Sequence, residues 1–209
     1  QDEPFIDLSL FSNNVYIGTT LANLMVNMDI GSLALFNIYV QDDKHLTAAQ
    51  AGLITIPYML CSLLMIRVGE KLLQEIGAKR PMLIGAALNA SGILLISLTF
   101  LPTAVYIVSC IIGYLLFGLG LGMYATPSTD TAVSTSPEDK VGVASGIYKM
   151  ASSLGNSFGV AISATIFGVV SATTNLHVGA MFGLFFNLVL AIIAFIAILI
   201  LVPKHQFNN

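Results

Sequence analysis

Charge is what this chain has least of. Of 209 residues, 8 are Lys or Arg and 11 are Asp or Glu, 9% in all, where a soluble domain carries about 25%. So few charges cannot cover the surface of a water-soluble fold of this size. That excludes soluble enzymes, disordered chains and nucleic-acid binders with basic faces. A net charge of −3 also argues against a polybasic protein resting on a membrane surface. Tryptophan is absent, so any aromatic belt must use Tyr and Phe. Cys61 and Cys110 sit in apolar stretches and read as small buried thiols rather than a disulfide. His45, His177 and His205 lack the spacing of a metal site, and no cofactor is expected. The amino end, Gln1-Asp2-Glu3-Pro4, has no basic run of the signal-peptide kind. There is no G-x-x-x-x-G-K-[ST] loop, which argues against nucleotide as the energy source. There is no H-E-x-x-H, and no two carboxylates stand within a helical turn of each other inside the spans, which argues against an intramembrane enzyme.

What is present is oil. Hydrophobic residues make up 56% of the chain, and they fall into runs of the length, about 20 residues, that a helix needs to cross a bilayer. The spacing predicts six spans, at about 14–40, 48–68, 81–100, 103–129, 141–171 and 179–202. Residues 1–13 form an entry segment and 204–209 a tail. The fold class expected is an all-α membrane protein of six transmembrane helices. Arg67, Lys71, Lys79, Arg80, Lys140 and Lys204 would share one side of the membrane, against Lys44 alone on the other. By the excess of cations on cytoplasmic loops, both termini are expected in the cytoplasm.

The spans differ in kind. The third and sixth are the most uniformly apolar. The fifth carries two G-x-x-x-G pairs, Gly142/Gly146 and Gly155/Gly159, beside several serines, and the fourth has Gly118 and Gly122. Small residues let helix backbones approach closely, which substitutes for the hydrophobic force that lipid does not supply. The first span holds Asn23, Asn27, Asp29 and Asn37, a heavy polar load.

Several motifs resemble a known family. They are Pro4-Phe5-Ile6-Asp7-Leu8-Ser9-Leu10-Phe11, then Gln41, Ala51-Gly52 and Pro57, then Gly118-Leu119-Gly120-Leu121-Gly122-Met123. Last comes Val141-Gly142-Val143-Ala144-Ser145-Gly146-Ile147, followed by Leu154-Gly155 and Gly159-Val160-Ala161. In this order they resemble the carboxyl-terminal six-helix domain of the major facilitator superfamily. Within it, the chain is most similar to the fourteen-span drug:proton antiporters, the QacA-type multidrug efflux pumps. The loop after the second span departs from that family: Gln74-Glu75 stands where an Asp-Arg pair is usual, leaving a loop ion pair in doubt.

The resemblance implies one half of a transporter, itself a 3+3 inverted repeat. It would work with an amino-terminal six-helix domain on the same or another chain. It implies export of hydrophobic, mostly cationic drugs across the cytoplasmic membrane, in exchange for protons, by alternating access. The first and fourth helices would line the cavity, the second and fifth would face the other domain, and the third and sixth would sit outside. The partners expected are protons, lipophilic drugs, lipid and that second domain, with no nucleic acid. Another small solute, or a non-transporting six-span assembly subunit, remain alternatives.

Asp29 is the first site candidate, since an ionisable residue near mid-span costs roughly 2.5–3.5 kcal/mol to insert and is functional by default. It could hold a proton that a cationic substrate displaces, or it could be an acid hydrogen-bonded within the bundle. Asn23, Asn27 and Asn37 fall on one arc of the helix, roughly 120° from Asp29; they could bind substrate or join helices. Tyr114, Phe117, Leu121 and Tyr124 form a stripe on the fourth span that could face organic cations or pack as core. Met25 would suit an adaptable pocket. Asp130 is a second proton-coupling candidate and could pair with Lys149, as a gate or as an interfacial ion pair. Gly142, Gly146, Gly155 and Gly159 are expected at the interdomain face.

Overall fold

The protein is described here by a computed structural model covering residues 8–204. Residues 4–7 of the entry motif, His205 and the rest of the tail lie outside the described residues. Six long helices follow in order: α1 (Asn14–Asp42), α2 (Ala48–Ile76), α3 (Lys79–Ile96), α4 (Thr103–Ser134), α5 (Val141–Thr173) and α6 (Leu176–Leu201). Among the described residues there is no strand. Five of the helices are long and apolar enough to cross a membrane. The exception, α3, has 18 residues and opens on Lys79-Arg80, which dilute its apolar content.

Local chemistry sets the ends. Asn13 caps α1, its side-chain oxygen accepting from Val15 N at 2.9 Å and Tyr16 N at 3.3 Å. Thr47 and Gln50 form a reciprocal capping box at the start of α2, satisfying two orphan groups at once. Gly77 ends α2 with a φ of 79°, open to glycine at no steric cost. The third helix stops at Ile96, short of the expected Phe100. There the Ser97 hydroxyl donates to Leu94 O at 2.7 Å and the Thr99 hydroxyl to His177 O at 2.6 Å. Short hydroxyl side chains of this kind compete with the helical ladder. The second and fourth helices run on past Val68 and Thr129, because lipid thickness limits apolar length, not helix length.

The helices pair in a symmetric pattern. α1 packs between α5 and α6, α4 packs between α2 and α3, and α3 meets α6. Exchanging the first three helices for the last three maps α1·α5 onto α4·α2 and α1·α6 onto α4·α3. That is the pairing of a 3+3 repeat. Direct contact between α1 and α4 is slight, which leaves a groove bordered by α1, α4 and α5.

Glycine makes the contacts close. A Cβ on Gly155 would strike Leu24 O, and one on Gly159 would strike Met28 O, both on α1. The mirror pair behaves alike: Gly118 lies on Tyr58 O and Gly122 on Ser62 O, both on α2. On α3·α4, Gly85 faces Gly120 and Gly92 faces Gly113 across carbonyl oxygens. Gly69 sits against Met123 O, the carbonyl that Pro127, having no N–H, leaves without its helical partner.

These contacts correct one expectation. Gly155 and Gly159 join α5 to α1 inside this domain, because only hydrogen side chains admit the α1 backbone there. Gly142 and Gly146 have nothing within 4 Å and remain open.

Gly159→Ala is expected to lower the unfolding free energy by about 1–3 kcal/mol, as overpacking does. Gly168→Ala, with nothing within 4 Å, should be neutral or stabilising by about 0.5–1 kcal/mol. Thermal unfolding in detergent of the two variants side by side checks this.

Candidate functional site

The polar residues of α1 divide between two faces. Asn23, buried, donates from Nδ2 to Ser152 Oγ at 2.7 Å and to Tyr148 O at 3.2 Å, both on α5. Asn27 donates from Nδ2 to Asn23 O at 2.8 Å and to Asn23 Oδ1 at 3.0 Å. The chain of contacts reaches α4, where the Tyr148 and Ser128 hydroxyls lie 2.7 Å apart. Asn23 therefore joins helices and also lines the groove. A cavity of about 240 Å³ opens there, lined by Asn23, Asn27, Tyr124, Tyr148, Lys149 and Ser152 among others. Tyr124 is 2% exposed, and its buried hydroxyl lies close to Ser128 without a well-formed hydrogen bond among the described residues.

Asp29 lies on the opposite face of α1. It is 0% exposed and packs on α3, where Asn89 Nδ2 donates to its Oδ2 at 2.8 Å. Two oxygens of this same pair, Asp29 Oδ1 and Asn89 Oδ1, lack a hydrogen-bond partner among the described residues. An unsatisfied buried acceptor costs about 1–3 kcal/mol. One proton on Asp29 Oδ1, donated to Asn89 Oδ1, would satisfy both and close an acid–amide ring. Asp29 forms no ion pair among the described residues. Direct displacement of its proton by a substrate in the groove is not available in this arrangement, since the carboxyl faces α3 and not the cavity.

Several expected site residues sit elsewhere. Tyr114 and Phe117 are buried and stack as core. Tyr114 meets Phe36 edge-on at 4.9 Å and Phe117 meets Tyr58 at 5.3 Å between ring centroids. Only Tyr124 of that stripe's aromatics lines the cavity, because the other two turn toward α1 and α2. Met25 packs with α3 and α6 against Ala22, Met82 and Ala194, on the far side of α1 from the groove. Asn37 donates to Leu33 O of its own helix at 2.8 Å and does not reach the cavity. Asp130 and Lys149 form no ion pair among the described residues. Both are exposed, but they point apart. Lys149 lines the groove, whereas Asp130 lines a larger cavity of about 630 Å³ with Glu70, Gln74 and Lys204, where α2, α3, α4 and α6 end together.

The major facilitator superfamily profile matches residues 16–209. The chain belongs to the major facilitator superfamily. It is therefore a multi-pass membrane protein of a transporter family and not an enzyme. It is 54% identical, over 203 residues, to the quinolone resistance protein NorB of Staphylococcus aureus strain bovine RF122 / ET3-1. It is 53% identical to the protein of that name from strain COL. Each alignment takes in 97% of this chain but 44% of the relative, so the chain spans less than half their length. Solved transporters share the fold. A structure of a proton dependent oligopeptide transporter superposes with a TM-score of 0.78 at 18% identity, over 92% of this chain and 42% of that one. A peptide transporter bound to sulfate gives 0.65 at 18% identity, over 85% and 37%.

Some residues that shape the site were not singled out in the sequence. Asn89 is one, and Asn187, which donates to Ser163 Oγ at 2.8 Å and is fully buried, is another. Each is a lone amide in an otherwise apolar facilitator span, and that was the available signal. Lys44, the lone cation of its side in the sequence, lies 5.8 and 5.7 Å from the Tyr39 and Tyr106 ring centres at the opposite end of the bundle.

Asn23→Ala is expected to lower stability by about 0.6–1.7 kcal/mol, the range of interhelical hydrogen bonds in membranes. Asn37→Ala, which breaks only a bond within α1, should stay within about 0.5 kcal/mol of the parent. Denaturant titration in micelles separates the two.

Proposed function

We propose that this chain is the carboxyl-terminal half of a proton-driven exporter of hydrophobic drugs. It works by alternating access in a cell membrane, with both termini cytoplasmic. The observation that carries the reading is the acid–amide pair of Asp29 and Asn89, buried between α1 and α3. A carboxyl group kept deep in a membrane bundle without a cation beside it suits a proton carrier. The name of the Staphylococcus aureus relatives, a quinolone resistance protein, supports a drug as cargo, and the clustering of cations at one end of the helices supports the orientation.

The two faces of α1 suggest how cargo and proton communicate. Substrate meets Asn23 and Asn27 on the groove side, and the proton sits on Asp29 on the α3 side. A shift of α1 against α3 on loading would open the pair and release the proton, so the coupling runs through the helix. A second six-helix domain, on the same or another chain, closes the groove, and Gly142 and Gly146 offer it a smooth face. Asp130, in the larger cavity among helix ends, stands as the next proton-coupling candidate.

Asp29→Asn is the deciding variant in the intact transporter. The new amide replaces one orphan oxygen with an NH2 that donates to the other, so stability should change by less than about 1 kcal/mol, whereas Asn89→Leu strands the acid and should cost about 1–3 kcal/mol. In proteoliposomes, drug-induced proton release should vanish in Asp29→Asn. Release that persists unchanged would remove Asp29 from the coupling and turn attention to Asp130 or the other domain.

A further inference from the structure

Lys149 is the unexplained charge of the groove. It lies about two turns into α5, and among the described residues no other charged side chain lines its cavity. No ion pair among the described residues includes it. Its side chain is exposed on the groove face, where a lone cation within a membrane span calls for a partner. Its neighbours offer hydrogen bonds but no countercharge: the Asn27 amide, the Ser152 hydroxyl and the Thr129 hydroxyl are all neutral. The buried Tyr124 hydroxyl in the same cavity has no well-formed hydrogen bond among the described residues either. An ammonium and a buried hydroxyl close to Ser128, set beside an aromatic ring and apolar Val26 and Leu121, make a receptor for one kind of ligand. That ligand has an apolar, ring-bearing body and a carboxylate at its edge.

We infer that Lys149 is the anchor for an anionic group on the exported molecule, with the Tyr124 hydroxyl as the second donor to it. The inference rests on the export reading and narrows its substrate class. Drugs bearing a carboxylate, zwitterions included, are preferred over permanent cations at this half of the cavity. That differs from the mainly cationic cargo that the family resemblance implied. The groups facing Lys149 from α1, α4 and α5 are all uncharged, while Asp130 lies in the adjoining opening, which shares Ala125 and Thr129 with this one.

The test uses the intact transporter in inverted vesicles and three probes: a quinolone carboxylic acid, the ester of the same quinolone, and ethidium. The wild type should favour the acid over the ester. Lys149→Gln should lower the acid-to-ester transport ratio by about tenfold or more, as loss of one partner of a charge pair does. Lys149→Arg should restore the ratio, and Tyr124→Phe should lower it by a smaller factor. Lys149→Met, read alongside, covers the case in which the glutamine variant fails to assemble. A ratio that stays the same in both neutral variants overturns the inference while leaving export intact. A ratio that recovers when an acid of the other domain is also neutralised overturns it too, by naming that acid as the partner. A wild type that moves ethidium but neither quinolone overturns the inference alone, and one that moves none of the three contradicts the export reading and the inference with it.

Discussion

Inside a bilayer there is no water to complete a hydrogen bond and no hydrophobic force to press helices together. Every polar group placed there must find its partner within the protein, and every helix contact must come from fit. The two requirements explain most of this structure. Fit comes from glycine, at pairs such as Gly159 on Met28 and Gly118 on Tyr58. Polar pairing comes from amides, which carry donor and acceptor together: Asn23 to α5, Asn89 to Asp29, Asn187 to Ser163.

The same requirements organise function. The first helix is held to α5 by close backbone contact and the Asn23 bonds, and to α3 by the Asp29–Asn89 pair. Its two polar faces therefore connect an open groove with a carboxyl group sealed from it, the arrangement on which the proposed exchange rests. A rigid helix bound on both sides can transmit a push from one face to the other. The loose border between α1 and α4 leaves the groove room to exist without breaking the bundle.

Much of this was legible in the residues. Apolar runs of the sequence fall on six helices, five of them long and apolar enough to cross a membrane. The small residues of α5 pointed to close packing, and the asparagines of α1 to polar contacts, with a substrate or between helices. Direction was harder to read. Periodicity placed Asp29 on a different arc from the asparagines but could not say which helix stood there, because that depends on how α3 packs. The G-x-x-x-G spacing could not tell Gly155, against α1, from Gly146, in the open. Aromatic spacing put Tyr114, Phe117 and Tyr124 on one stripe, yet a stripe on a helix flanked by α2 and α3 faces core over part of its length. The proposed Asp130–Lys149 pair failed for a similar reason: short loops bring helix ends together but do not fix which way each side chain points.

The central claim is that Asp29 is a neutral carboxylic acid sharing one proton with Asn89. Infrared spectroscopy of the intact transporter in lipid reads this directly, through the carbonyl band that only a protonated carboxyl shows. The account predicts such a band at neutral pH, absent in Asp29→Asn and shifted in Asn89→Leu. A spectrum with no protonated-carboxyl band assignable to Asp29, and carboxylate bands in its place, would contradict it.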